Sequence, residues 1–363
     1  MAELGQSFYP TLGIADAERH LDEATRVGCR HLFTSLHLPE AVVDDWSEVR
    51  RLLTRAARAG IGIAADVSRA SLDAFGASPD DMSPLARLGI ETVRLDHGFT
   101  MEETMRIIRA GGFMFQINAG AMNEDDVRNL AQRGVPPEKL IAVHNFYPRR
   151  ETGVSIDFYR RQNRMFRQFG MKTGGFIPSL REPRAPLYEG LPTVEAHRRL
   201  RAVEAAAELA ADGLADMIYF GDPAPGEADW TAARQAASGT IPLRVRWLEP
   251  LPEELLPLLG ETHTCPWDGA ELVIRTPLGR PFVRERGIVP EPRNTLERPA
   301  GTVTMDNSRY PRYVGELQVA RVDLPADERV NVLGRVVPED RPLLRLIGSG
   351  TRFAFDVSDK GIR

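Results

Sequence analysis

The chain has 363 residues, enough for roughly two domains or for one large α/β barrel with an added part, and enough to bury a core without a disulfide or metal staple. A formal charge of −5 argues against a surface built for nucleic acid or an anionic membrane, and two distant cysteines, Cys29 and Cys265, exclude a disulfide framework and a cysteine zinc site. No apolar run approaches the ~18 residues of a membrane span, and the opening MAELGQSFYP lacks a charged segment followed by an apolar one, so a soluble, cytoplasmic protein is expected.

The first two-thirds repeat one pattern: a short β-branched or aromatic run, a polar turn, then an amphipathic stretch. Strands are predicted to start near Ser7, Cys29, Gly62, Thr92, Phe113, Ile141, Thr173 and Met217. Helices are predicted over Asp16–Val27, Glu40–Ala59, Met101–Ala110, Glu124–Arg133, Ile156–Phe169 and Val194–Asp212. Gly28, Gly60, Gly111 and Gly134 follow four of these helices, where a left-handed stop suits glycine. Eight such units in about 240 residues match an α/β fold of the TIM type, a (β/α)8 barrel over residues 1–240. A doubly wound open sheet fits less well, because no GxGxxG follows the first strand.

From Ile241 the helical periodicity fades and prolines accumulate. Alternating runs at Glu271–Arg275, Gly301–Met305, Val314–Val319, Asn331–Val336 and Thr351–Val357 predict a β-rich domain over residues 241–363.

Active sites of barrels form at the carboxyl ends of the strands, so the polar residues that close each strand-like run are the ones to examine. These are Ser35, His37 and Glu40 after the second run, Asp66 after the third, and Arg94, Asp96 and His97 at the fourth. Asn118 closes the fifth, His144, Asn145, Tyr147 and Arg149 the sixth, and Asp222 the eighth. Carboxylates, amides, imidazoles and aromatics at one rim suit a carbohydrate, whose hydroxyls need bidentate polar groups and whose ring needs an aromatic face. Asp66 and Asp222 also fit helix N-caps, and His144 also fits a hydrogen-bonded core histidine.

The stretch after the seventh strand, REPRAPLYEGLPTVEAHR, gathers Arg181, Arg184, Arg198, Glu195 and His197. Loops after strands seven and eight often form a phosphate site, and arginine forks hold phosphate or carboxylate. Thr193 reads as the N-cap of the next helix, which would put Glu195 in a first turn favoured by the helix dipole whatever its chemistry.

Taken in order, FTSLHLPE, RLDHGF, HNFYPRRETGVS, PLYEGLPTVEAHR, GTVTMDNSRYPRYVGELQV and RVNVLGRV resemble the former domain-of-unknown-function family 871. That family includes bacterial 6-phospho-N-acetylmuramidases of glycoside hydrolase family 170. The resemblance runs from Ser7 to about Phe355, with Ala185 standing where the family pattern leads one to expect glycine. It implies a barrel followed by a cyclophilin-like β domain, and cytoplasmic cleavage of a phosphorylated muramic acid–glucosamine disaccharide during peptidoglycan recycling.

The residues then sort into roles as expectations. Asp96 and Asp66 form the acid/base set, with Glu195 and Asp222 in reserve. Arg184, His197 and Arg149 contact phosphate or lactyl carboxylate, while His37, Arg94, Asn118, His144, Asn145 and Tyr147 line the sugar. No cofactor and no metal are expected, since the few histidines lack ligand spacing. The expected partner is a small phosphorylated sugar, with a homodimer also compatible, and neither nucleic acid nor membrane. A phosphosugar-binding sensor without hydrolysis is the other reading of the arginine-rich loop. In the tail, Asp306, Tyr310, Arg312, Tyr313 and Glu316 lie close together and read either as a solvated strand face or as a cover for the barrel mouth.

Overall fold

The computed structural model describes residues 1–38, 43, 45–95 and 98–357, which divide into two compact units, Met1–Ser238 and Gly239–Arg363. In the first unit eight parallel strands close into a barrel: β1 (Glu3–Ser7), β2 (His31–Ser35), β3 (Gly62–Val67), β4 (Ile90–Leu95), β5 (Met114–Asn118), β6 (Leu140–Val143), β7 (Lys172–Ile177) and β8 (Met217–Phe220). Parallel pairing of Leu4 with Ile218 and of Gln6 with Leu32 joins the last strand to the first. β1 thus ends at Ser7 rather than starting there. Its sequence, ELGQS, has no β-branched residue, and Gly5 is required because a Cβ there would stand 2.5 Å from the His31 carbonyl oxygen.

The helices are α1 (Ile14–Arg26), α2 (Ser47–Arg58), α3 (Arg69–Phe75), α4 (Ser83–Ala86), α5 (Met101–Ala110), α6 (Glu124–Gln132), α7 (Ile156–Gln168), α8 (Ala202–Ala210) and α9 (Glu227–Ala237). Each long helix buries one stripe; in α2 it is Val49, Leu52, Leu53 and Ala56, the spacing of one helical face. Reciprocal side-chain caps start α3 at Ser68, α5 at Thr100 and α6 at Asn123. The glycines expected as left-handed stops, Gly28, Gly60, Gly111 and Gly134, all have positive φ.

Two expectations change. α3 and α4 lie between β3 and β4 where no helix was predicted, because seven- and four-residue helices are too short to show a period. The helix expected over Val194–Asp212 is instead a 3₁₀ turn at Glu195–His197 followed by α8. Thr193 caps neither, since its hydroxyl accepts from the Phe176 N–H at 2.8 Å and donates to the Asn145 carbonyl at 2.9 Å.

The second unit is a seven-stranded mixed sheet in the order β10-β15-β9-β14-β12-β13-β11. Its strands are β9 (Thr240–Trp247), β10 (Thr262–Thr264), β11 (Val273–Thr276), β12 (Thr302–Asp306), β13 (Leu317–Ala320), β14 (Val330–Val336) and β15 (Arg352–Asp356), with α10 (Leu256–Leu259) and α11 (Gly279–Arg286) between them. The β15–β9 pair is parallel and the others antiparallel. In the tail cluster, Glu316 and Tyr310 have partners within this unit, while Arg312 and Tyr313 are exposed. Asp306 and Glu316 are buried, Glu316 pairs with Arg275 at 2.8 Å, and the Arg329 guanidinium lies over Tyr310. Burial, reinforced by Glu316, pushes the Asp306 carboxyl up to about 7.

Candidate active site

Alternation along the strands sends every second residue into the barrel. Phe33, Ala64, Ile141, Val143, Phe176, Met217 and Tyr219 form one packed cluster there, with Met114 and Phe146 against it. Phe33, Phe146 and Phe176 meet edge-on, with centroids 5.1–6.2 Å apart. Two residues further along β2 and β3, in the same alternation, come Ser35 and Asp66, and β4 contributes Arg94. These side chains, with His37, Asn145 and Arg184, line a cavity of about 400 Å³ whose floor includes Phe33 and Phe146.

The polar groups of this cavity hold one another. Arg94 is buried; its Nη2 donates to Asn145 Oδ1 and its Nε lies 3.9 Å from Asp66 Oδ1. The Asn145 main chain is fixed in turn by the Thr193 hydroxyl, and a ring nitrogen of His37 lies 3.4 Å from the Asp66 carbonyl oxygen. Across the cavity, the Arg184 guanidinium lies over the rings of Tyr9 and Phe146, 4.7 and 5.3 Å from their centroids. Burial pushes the Tyr9 phenol up to about 12, and its hydroxyl donates to the Gly221 carbonyl at 2.7 Å. Ala185, which also lines the cavity, is not among the residues of positive φ, so alanine at this position carries no left-handed strain.

Of the residues expected to act, His37, Asp66, Arg94, Asn145 and Arg184 are therefore brought together. Tyr147 and Asn118 meet beside Gly120, where a Cβ would stand 3.3 Å from Tyr147 Oη and 3.4 Å from Asn118 Oδ1. Burial raises the Tyr147 phenol against the opposing charge of Arg94. Asp96 and His97 lie outside the described residues, as does Glu40.

Five other residues named from the sequence do not line the cavity. Asp222 is fully buried and its carboxylate accepts the main-chain N–H groups of Ser179, Arg184 and Leu191 at 2.9–3.0 Å, so it faces a loop and not a sugar. Burial raises its pKa against those three hydrogen bonds. Glu195 takes two hydrogen bonds from Arg198 and one each from the N–H groups of Glu151 and Gly153, and this arginine above all lowers its carboxyl to about 2. His197 has no exposed surface, and its Nε2 meets Glu208 at 2.7 Å. His144 points out of the barrel, donating from Nε2 to Asn163 Oδ1 at 3.0 Å, and burial lowers it to about 4. Arg149 is exposed and does not line the cavity.

Reasoning from strand ends missed Tyr9 and Phe146, the two rings under Arg184. The signal available for both was an aromatic within two residues of a proline at a strand end, Tyr9-Pro10 and Phe146-Tyr147-Pro148. Among the described residues no group of three or more His, Cys, Asp or Glu is placed to hold a metal ion, and no helix is long and apolar enough to cross a membrane.

Residues 4–235 match the family model described as 6-phospho-N-acetylmuramidase, N-terminal, and residues 241–356 match the one described as 6-phospho-N-acetylmuramidase, C-terminal. No curated protein matches the chain. Among solved structures, a conserved protein of unknown function from Enterococcus faecalis is 32% identical with a TM-score of 0.75, covering 99% of this chain and 97% of its own. An uncharacterised B. cereus protein is 26% identical with a TM-score of 0.81, covering 98% and 100%. With both parts of the chain matched in order, the first of them a barrel whose carboxyl edge carries a polar cavity, the chain belongs to the 6-phospho-N-acetylmuramidase family, a family of glycosidases.

Proposed function

We propose that the protein hydrolyses the glycosidic bond of 6-phospho-N-acetylmuramic acid–N-acetylglucosamine inside the cell, as a step in recycling cell-wall sugars. The observation that carries this reading is the pairing, in one cavity, of an Asp66–Arg94–Asn145 group with an arginine, Arg184, laid over two aromatic rings. A volume of about 400 Å³ suits one phosphorylated sugar ring rather than a polymer. The substrate carries a phosphate and a lactyl carboxylate, and a guanidinium fork suits either.

Glycoside hydrolysis needs a group that protonates the leaving oxygen and a second that steadies or attacks the anomeric carbon. The neighbouring Arg94 cation suits Asp66 to work as an anion, steadying the substrate's 2-acetamido group as that group attacks, or attacking directly. Asp96, next after β4, is the proton donor in this reading. Phe33 and Phe146 offer the sugar an apolar face.

The test is incubation of the purified protein with the phosphorylated and the unphosphorylated disaccharide, read by mass spectrometry. Cleavage confined to the phosphorylated form is expected. Equal cleavage of both, or of neither, overturns the reading.

A further inference from the structure

One carboxylate organises the whole loop that carries Arg184. Asp222 Oδ2 accepts the N–H groups of Ser179 and Leu191, the two ends of the segment, at 3.0 Å each. Its Oδ1 accepts the N–H of Arg184, between those ends, at 2.9 Å. The residue before it, Gly221, anchors the Tyr9 hydroxyl, and Tyr9 is one of the rings under the Arg184 guanidinium. Gly221 has to be glycine, because a Cβ would stand 2.2 Å from the Leu191 carbonyl oxygen as the loop returns across the strand end. The pair Gly221–Asp222 therefore fixes both the backbone that presents the guanidinium and a surface on which it rests.

We propose that Asp222 is a positioning residue for anion recognition: it holds Arg184 against the cavity so that the guanidinium meets an oxyanion of the sugar, without itself touching substrate. This rests on the functional reading above. The shared chemistry is an oxyanion on a pyranose, supplied either by the 6-phosphate or by the lactyl carboxylate. A role as acid, base or nucleophile is incompatible with the geometry, since the carboxylate is fully buried and already accepts three N–H groups.

Asparagine at this position has one acceptor oxygen and an NH2 that opposes at least one of the three N–H donors. Steady-state kinetics on the phosphorylated disaccharide would compare wild type, Asp222→Asn, Arg184→Met and the double variant, with amide hydrogen exchange followed over residues 179–191. Asp222→Asn is expected to raise KM about tenfold with kcat within about threefold, and to add nothing to KM once Arg184→Met is present. Exchange at residues 179–191 is expected to quicken with or without sugar. Loss of kcat at unchanged KM, or KM effects that multiply in the double variant, overturns the proposal.

Competition by N-acetylglucosamine 6-phosphate and by N-acetylmuramic acid distinguishes the two oxyanions, because only the one that Arg184 meets loses affinity in Asp222→Asn; unaltered affinity for both overturns the proposal. If Asp222→Asn does not fold, Tyr9→Phe removes the hydroxyl anchor alone, and a KM raised about threefold supports the proposal while an unchanged KM overturns it. If the wild type leaves the disaccharide intact, the functional reading falls separately. The inference is then judged on exchange alone, with quickened exchange supporting it and unchanged exchange overturning it.

Discussion

Asp66 and Asp222 stand at the same edge of the barrel, on β3 and just after β8, and read alike in the sequence. On the β3–β4 side, Asp66 is beside Arg94 and lines the cavity. On the β7–β8 side, Asp222, Glu195 and Arg198 are turned into the loops. Three N–H groups fall on Asp222, and Arg198 donates to Glu195 and to the carbonyls of Gly190, Tyr147 and Arg149. What separates Asp222 from Asp66 is its surroundings: three main-chain N–H groups converge on Asp222, while Asp66 lines the cavity beside Arg94. A carboxylate that gathers a loop's N–H groups builds the site, and one that lines a cavity beside a cation is placed to meet substrate.

The comparison breaks first at Asp66. Asp66→Asn should lower kcat on the phosphorylated disaccharide by about a thousandfold while the unfolding temperature stays within a few degrees of wild type, as steady-state kinetics and thermal melting would record. A variant that keeps its turnover puts the chemistry elsewhere on the rim.

Glu195→Gln should behave in the opposite way. Stability falls by about 1–2 kcal/mol at pH 7, from the lost charge-assisted bonds to Arg198, and kcat stays within about threefold of wild type. The sign follows from the lowered carboxyl. With a folded value near 2 and an ordinary unfolded one, Glu195 contributes its full stability above about pH 4.5 and loses it as pH falls toward 2. Denaturant melts of wild type and variant should therefore converge across that window, and a gap that persists to pH 2 contradicts the assignment.

The smallest effect is expected at Arg149, exposed and off the cavity. Arg149→Ala should change KM less than about twofold and stability by no more than about 0.5 kcal/mol.

The barrel was legible because its signals are local: eight strands alternate with helices, and apolar stripes, glycine stops and capping residues mark several of those helices. Where those signals fail, so did the reading. β1 lacks β-branched residues, α3 and α4 are shorter than a readable period, and β9 carries Pro242. The site was legible as a rim and not as a set of roles. His37, Asp66, Arg94 and Asn145 converge because strand ends converge, which topology dictates, while Arg184 joins them from the loop after β7. That His197 pairs with Glu208, or that Asp222 gathers N–H groups from Ser179 to Leu191, depends on how a long loop folds back, and no periodicity encodes that.

The most direct measurement is a crystal structure of the Asp66→Asn variant with the intact phosphorylated disaccharide. The account predicts the muramic acid ring against Phe33 and Phe146, an oxyanion on the Arg184 guanidinium, and the reacting end of the sugar at residue 66. A disaccharide bound outside this cavity, or inside it with both its anionic groups away from Arg184, would contradict it.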